Sequence, residues 1–244
     1  MRKIRLDKFI SSQGIGSRKQ AKEWVKKKLV TVNGEFAKSS EQKIDEKSDV
    51  IMVNGKTYEY KEYIYIMMNK PQGVICSTDD KRHKTVLDLL PGELVRPNLF
   101  PAGRLDIDTT GFVLITDDGD FAHNMLSPKK HVTKLYYATV NGKVTPEHID
   151  LFAKGITIDS GIECLPAKLE TIEDCDTPKV QIEIMEGKFH QIKRMFEAIG
   201  LKVLTLHRQK IGNLELDEKL PLGECREILH KEKESILCDM PNDF

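Results

Sequence analysis

The chain has 244 residues, of which 39% are hydrophobic and 31% charged, and its 38 Lys and Arg balance 38 Asp and Glu. This composition is typical of a soluble globular protein and excludes a disordered or fibrous chain. No apolar run approaches the roughly 18 residues of a membrane span, and no signal-like apolar block follows the basic N-terminus. We therefore expect a cytoplasmic protein that does not enter a membrane.

Cysteine and histidine spacing gives no indication of a metal site. The five cysteines form no CxxC pair, and the seven histidines show no HExxH spacing. Neither a disulfide framework nor a zinc site is predicted.

Charge is distributed unevenly along the chain. Residues 1–60 contain 14 Lys and Arg against 8 Asp and Glu, whereas residues 61–244 contain 24 against 30. The N-terminal segment is therefore basic, whereas the rest of the chain is mildly acidic. This distribution predicts that residues 1–60 supply a sequence-independent attraction to phosphates.

The first 60 residues predict two short helices followed by a small sheet. Apolar residues at helical spacing after Arg5 predict the first helix, and Gly14 offers a left-handed stop. A capping-box pattern from Ser17 to Gln20 predicts the start of the second helix. The apolar face of this helix would consist of Ala21, Trp24, Val25 and Leu29.

Two Asn-Gly pairs, at 33–34 and 54–55, each follow a short apolar run and predict hairpin turns. The charged stretch 56–62 predicts a linker, and the apolar run 63–68 begins a second core. A domain boundary is therefore predicted near residue 60, with a small α/β module at 1–60 and a larger domain at 61–244.

The string RLDKFISSQGIGSRKQAKEWVKKKLVTVNG, which begins at Arg5, resembles the S-four-type RNA-binding domain, a module named after a ribosomal protein. A basic helix face is otherwise often merely solvated. The resemblance implies that six side chains face RNA phosphates: Arg5, Lys8, Ser17, Arg18, Lys19 and Lys22.

Within the larger domain, the sequence pattern predicts strands at 112–116, 134–140, 163–172 and 179–185, and helices at 119–126 and 146–153. Short turns join many of these elements, and this favours antiparallel pairing over a doubly wound parallel sheet. The predicted fold class is α+β, with a mixed, largely antiparallel sheet and flanking helices.

The stretch GRLDIDTTG at 103–111 places Asp106 beside Arg104, just ahead of a predicted core strand. An aspartate in a loop is most often structural. A second stretch, KLYYATV, contains Tyr136 and Tyr137, which must point to opposite faces of their strand. One ring would pack in the core and the other would line a cleft, and alternation alone does not choose between them.

A third stretch, EGKFHQIKRMFEAIG at 186–200, predicts a helix in which Lys193 and Arg194 lie off the buried face. Such a basic pair usually faces solvent. The buried stripe would consist of Phe189, Ile192, Phe196 and Ile199.

Together with NKPQG at 69–73, these blocks resemble, in the same order, the motifs of pseudouridine synthases of the RsuA type. The resemblance implies that Asp106 is the catalytic carboxylate, that Tyr136 stacks on the base and that Lys193 pairs with the aspartate. RNA contacts are expected at Arg104, Lys70 and Arg194, and further contacts within the block 206–212.

The resemblance further implies isomerisation of uridine to pseudouridine in small-subunit (16S) ribosomal RNA, without a metal or an organic cofactor. The expected partner is ribosomal RNA, either free or within an assembling small subunit, and the protein is expected to be a monomer. Two alternatives stay open: a synthase that acts on 23S RNA, and a non-catalytic RNA-binding protein of ribosome assembly.

Overall fold

A computed structural model of the chain describes residues 3–159 and 161–238 and divides into two compact units. The first unit takes in the described residues up to Ile64 together with Leu90–Leu99. The second contains Tyr65–Leu89 and the described residues from Phe100 onward. The segment 90–99 thus belongs to the first unit, although it lies well beyond the predicted boundary near residue 60.

The first unit combines two helices with short strands. Its elements are β1 (Lys3–Arg5), α1 (Leu6–Ser12), α2 (Arg18–Lys26), β2 (Val30–Val32), β3 (Glu35–Phe36), β4 (Lys43–Asp45), β5 (Ile51–Val53) and β6 (Lys56–Tyr58). Both predicted helices are confirmed, and so is the capping box: Ser17 Oγ accepts the Gln20 N–H, and Gln20 Oε1 accepts the Ser17 N–H. The prediction that Leu29 belongs to the apolar face of α2 is wrong, because α2 ends at Lys26 and Leu29 is exposed.

Both predicted hairpin turns are confirmed in the four-stranded sheet, which has the order β3-β2-β5-β6. Each Asn-Gly pair has positive φ at both residues, as a tight turn between right-twisted strands requires. The second turn leads directly into β6, so the linker predicted at 56–62 is wrong over Lys56–Tyr58. The charged side chains in this stretch suggested a linker. The Asn-Gly turn at 54–55, however, requires a following strand that pairs with β5.

The second unit contains the larger sheet and four helices. Its elements are β7 (Tyr65–Lys70), β8 (Phe100–Ala102), β9 (Thr110–Thr116), α3 (Gly119–Leu126), β10 (Lys134–Val140), α4 (Pro146–Lys154), β11 (Thr157–Ile158), β12 (Ile162–Glu163), β13 (Lys168–Glu173), β14 (Lys179–Ile184), α5 (Gln191–Ala198), β15 (Val203–Ile211), β16 (Leu214–Glu215), β17 (Cys225–Glu227) and α6 (His230–Leu237). The single strand predicted at 163–172 is instead divided between β12 and β13. Pro166, which lies between them, has no N–H to donate to a ladder.

The large sheet has the order β13-β14-β10-β15-β9-β7-β17, with β16 paired to β15 and β8 to β9. Among the described strands of this sheet, β15 and β9 form the one parallel pair. The predicted fold class, a mixed and largely antiparallel sheet with flanking helices, is therefore confirmed. The central strands β7 and β9 are buried almost throughout, since other elements cover both of their faces.

Gly111 lies where β9 approaches β15 most closely. Its φ is +102°, and a Cβ atom at this position would lie 2.3 Å from the carbonyl oxygen of Arg208. Only glycine combines this backbone conformation with so close an approach. The parallel pairing that brings β15 next to the Asp106 loop therefore depends on Gly111.

We expect Gly111→Ala to lower the free energy of unfolding by about 1–3 kcal/mol or more, because it adds backbone strain and displaces β15. Gly119→Ala is the matched control, since Gly119 begins α3 and has no atom within 4 Å of an added Cβ. Denaturant unfolding of both variants provides the measurement. Equal stability of Gly111→Ala and the wild type would show that the close approach is not required.

Candidate active site

The loop that carries Asp106 is organised by the buried side chain of Lys70. The Lys70 ammonium, at the end of β7, donates to the carbonyl oxygens of Asp106 at 2.9 Å, Thr109 at 2.8 Å and Pro71 at 3.1 Å. Burial lowers the pKa of Lys70, and nearby groups, first Cys76 and then Asp108, oppose that shift. Lys70 is 0% exposed, so the prediction that it contacts an RNA phosphate is wrong.

A second buried cation, Arg208 on β15, joins the same loop to the sheet. It donates to the carbonyl oxygens of Phe112 at 2.7 Å and Gly103 at 2.6 Å. A third N–H donates to the hydroxyl of Tyr136 at 3.4 Å. Arg208 is 3% exposed and donates to protein carbonyl oxygens, so this member of the 206–212 block positions protein groups, whereas its contact with RNA stays a prediction.

The structure brings Asp106 and Lys193 together across 87 residues of sequence. The Lys193 ammonium donates to Asp106 Oδ2 at 3.0 Å and to Asp108 Oδ1 at 2.6 Å. His190 Nε2 lies 3.5 Å from the other oxygen, Asp106 Oδ1. The Asp106 carboxylate thus lies between an ammonium and an imidazole.

The electrostatics of this group favour the ionised forms of Lys193 and Asp108. Burial alone would lower the pKa of Lys193, but hydrogen bonds to Asp108 and Asp106 raise it above its usual value. The hydrogen bond from Lys193 correspondingly lowers the pKa of the Asp108 carboxyl. Lys193 therefore stays a cation beside the two carboxylates at neutral pH.

Tyr136 is the tyrosine of β10 that faces Asp106. Its ring is largely buried, and it lines the same cavities as Asp106, which Tyr137 does not line. The guanidinium of Arg208 lies 5.9 Å from the centroid of the Tyr136 ring, and the ammonium of Lys179 lies 5.4 Å from that of Tyr137. The choice that strand alternation left open is therefore resolved in favour of Tyr136.

A cleft of about 760 Å³ opens beside these side chains. Asp106, Tyr136, Arg104, Lys134 and Arg208 all contribute to its lining. Burial, with a smaller contribution from the charge of Arg208, lowers the pKa of Lys134 to about 8. A cavity of this size, lined by apolar walls and a few convergent polar groups, is suited to an organic group as large as a nucleoside.

Arg104 and Arg194 differ in their surroundings. Arg104 is exposed at the rim of the cleft, where a ligand can reach it. Arg194 forms an ion pair with Asp159 and donates to the carbonyl oxygen of Phe189 at 2.8 Å, and its side chain is only 15% exposed. These contacts give Arg194 a role within the protein, whereas its contact with RNA stays a prediction.

The buried stripe predicted for the helix at 186–200 is wrong at its first member. Helix α5 begins at Gln191, and Phe189 lies ahead of it and is 71% exposed. His190, between them, adopts the left-handed conformation, with φ 49° and ψ 32°. Sequence reasoning also missed His190 as a neighbour of Asp106, because helical periodicity does not reveal a left-handed residue.

The RNA-contact residues predicted in the first unit are on its surface. Arg5 donates to Asp7 at 2.7 Å and also pairs with Glu41 at 3.1 Å, so two carboxylates already offset its charge. The Ser17 hydroxyl is used in the α2 cap. Four of the predicted cations are exposed: Lys8, Arg18, Lys19 and Lys22.

Across residues 3–159 and 161–238, no group of three His, Cys, Asp or Glu side chains is placed to hold a metal ion. Over the same residues, no helix combines the length and the apolar character that a membrane span requires.

Two family models match the chain. The model described as RNA pseudouridylate synthase matches residues 64–198, and the S4 domain model matches residues 4–51. The first match includes Asp106, Tyr136 and Lys193, and the second includes the basic helix α2.

Curated relatives match almost the whole chain. An uncharacterized RNA pseudouridine synthase, YtzG of Bacillus subtilis, is 43% identical over 94% of this chain and 96% of its own length. Ribosomal small subunit pseudouridine synthase A of Escherichia coli is 42% identical over 96% of this chain and 100% of its own length. The corresponding Haemophilus influenzae protein is 40% identical, with the same two coverages.

A solved structure, described as the crystal structure of pseudouridylate synthase, matches with a TM-score of 0.67 at 40% identity. The match covers 96% of this chain and 99% of that one. The resemblance inferred from the sequence motifs is confirmed: the chain belongs to the RNA pseudouridylate synthase family and carries an S4 domain at its N-terminal end.

Proposed function

We propose that this protein converts a uridine of small-subunit (16S) ribosomal RNA to pseudouridine, with Asp106 as the catalytic carboxylate. One observation carries the assignment of the site: the contact of 3.0 Å between Asp106 and Lys193, beside a pocket that both residues line together with Tyr136. The choice of RNA rests on relatives about 42% identical over nearly the whole chain that are named as small-subunit synthases.

The isomerisation makes limited chemical demands. The bond from C1′ of the ribose to N1 of uracil breaks, the base turns in place, and a bond from C1′ to C5 forms. The proton lost from C5 is balanced by the proton gained at N1, and no oxidation state changes. We propose that a carboxylate, a surface that retains the base and a cation that orients the carboxylate are sufficient, without a metal or an organic cofactor.

Asp106, Tyr136 and Lys193 suit these three tasks. Lys193 holds one oxygen of Asp106, and the buried Lys70 holds the Asp106 backbone, so the carboxylate is oriented before the substrate arrives. The Arg208 contact fixes the Tyr136 hydroxyl, and the largely buried ring is suited to stack on an everted base. Retention of the detached uracil requires little water in the cleft, and the aromatic and aliphatic walls favour this.

The two units contribute different parts of recognition. The exposed cations on α2 and at Lys8 supply attraction to phosphates, whose strength falls as salt is added. Arg104, at the cleft rim, is placed to fill the stack that the flipped uridine vacates or to hold a phosphate. The substrate in this proposal is ribosomal RNA, free or within an assembling small subunit.

The proposal is tested by mapping pseudouridine at nucleotide resolution in ribosomal RNA from cells with and without this protein. Loss of one pseudouridine from 16S RNA is expected. Loss from 23S RNA would assign the protein to the other substrate, and no loss from either would contradict the proposal.

We expect Asp106→Asn to reduce pseudouridine formation on unmodified 16S RNA by about 10²–10⁴-fold or more, because the neutral amide cannot act as the carboxylate. RNA binding should be retained, because the substitution preserves size. Asp150→Asn, on the exposed side of α4, is the control and should leave activity unchanged. Product formed at the wild-type rate by Asp106→Asn would overturn the assignment of this side chain.

We expect Lys193→Met to lower kcat by about 10- to 150-fold, the equivalent of one charge-assisted hydrogen bond, since two carboxylates would then face each other without a cation. Lys193→Arg retains the charge and should keep most of the activity. Single-turnover rates on 16S RNA provide the measurement. If Met and Arg variants were equally active, the ion pair would have no part in the reaction.

We expect Arg104→Ala to reduce turnover on folded 16S RNA by roughly 10-fold or more. Without the arginine, no side chain compensates for the base stacking that the RNA loses when the uridine flips out. Arg82→Ala removes an exposed arginine of the same unit and serves as the control. Unchanged turnover by Arg104→Ala would contradict a role in base flipping.

A further inference from the structure

We propose that Phe189 forms a stacking surface for a second nucleobase of the RNA, a neighbour of the uridine that enters the cleft. This inference rests on the proposed function, because it assigns a further contact to the same substrate. It gives a ligand-binding role to a residue for which sequence periodicity had predicted burial.

Phe189 is exposed to an extent that packing does not explain. Its side chain is 71% exposed, although burial of a phenylalanine is worth about 1.5–3 kcal/mol. The residue also lines the cleft that contains Asp106 and Tyr136. An aromatic ring exposed at the rim of a ligand cleft offers its face to a base of the bound ligand.

Several contacts hold the backbone and the ring of Phe189 in place. Arg194, itself ion-paired with Asp159, donates to the Phe189 carbonyl oxygen at 2.8 Å. The Phe189 ring lies on the imidazole of His190, with centroids 3.7 Å apart and an interplanar angle of 21°. A side chain ordered in advance loses little conformational entropy when a ligand binds.

The position of Phe189 determines which nucleobase it meets. The imidazole on which it stacks lies 3.5 Å from Asp106, so the ring is one aromatic layer away from the carboxylate. A base stacked on Phe189 therefore belongs to a nucleotide that lies close in space to the target uridine. Arg104, exposed on the same cleft, supplies the phosphate contact that usually accompanies stacking in single-stranded RNA sites.

The test compares three variants in steady-state pseudouridine formation on unmodified 16S RNA, with Kd for the same RNA measured by filter binding. Loss of stacking in Phe189→Ala and Phe189→Leu should raise KM and Kd by about 5- to 150-fold, whereas Phe189→Tyr should remain close to the wild type. Leu151→Ala, an exposed apolar residue on α4, is the control and should change neither constant. The Tm of each variant should match the wild type, because the ring is mostly exposed.

Wild-type constants for Phe189→Ala, or full activity of Phe189→Leu, would overturn the stacking role. So would a lowered Tm together with failure of Phe189→Tyr, since that result indicates a structural role. The two proposals fail separately. A wild-type protein that forms no product on this RNA contradicts the proposed function, and in that case the Kd values of the Phe189 variants still decide the stacking inference.

Discussion

The buried ammonium of Lys70 is the contact on which the geometry of the site depends. Removing a charged amine from water is costly, and three carbonyl oxygens between 2.8 and 3.1 Å offset that cost. Two of those oxygens belong to Asp106 and Thr109. The hydrogen bonds that stabilise the buried Lys70 ammonium therefore also fix the loop that carries Asp106. Lys193 holds one side-chain oxygen of Asp106, so this residue is constrained at both its backbone and its carboxylate.

Local signals in the sequence predicted much of the fold. The Ser17 capping box and the two Asn-Gly turns each involve neighbours within a few residues, so the pattern contains the whole interaction. Phe189 shows the limit of periodicity: one left-handed residue, His190, moves the start of α5 to Gln191 and places the ring in solvent.

The site was predicted less completely, because its geometry depends on residues far apart in the sequence. The motifs and the family resemblance indicated Asp106, Tyr136 and Lys193, and the structure places these three around one cleft. Lys70 and Arg208 were interpreted as RNA contacts or as part of an RNA-contacting block, since a lysine or arginine in a sequence carries no sign of burial. Only the assembled sheet, with Gly111 against β15, shows that their partners are carbonyl oxygens.

Buried cations also explain how an acidic domain can accept a polyanion. Residues 61–244 carry more acidic than basic side chains, and two of these acidic residues, Asp106 and Asp108, lie at the site itself. Lys193 neutralises part of this charge directly, while Lys134 and Arg208 contribute positive potential from within the walls of the cleft. In those low-dielectric walls, the charges are screened by salt less than surface charges are. The cleft can therefore attract phosphates near the reacting nucleoside although residues 61–244 carry a net negative charge.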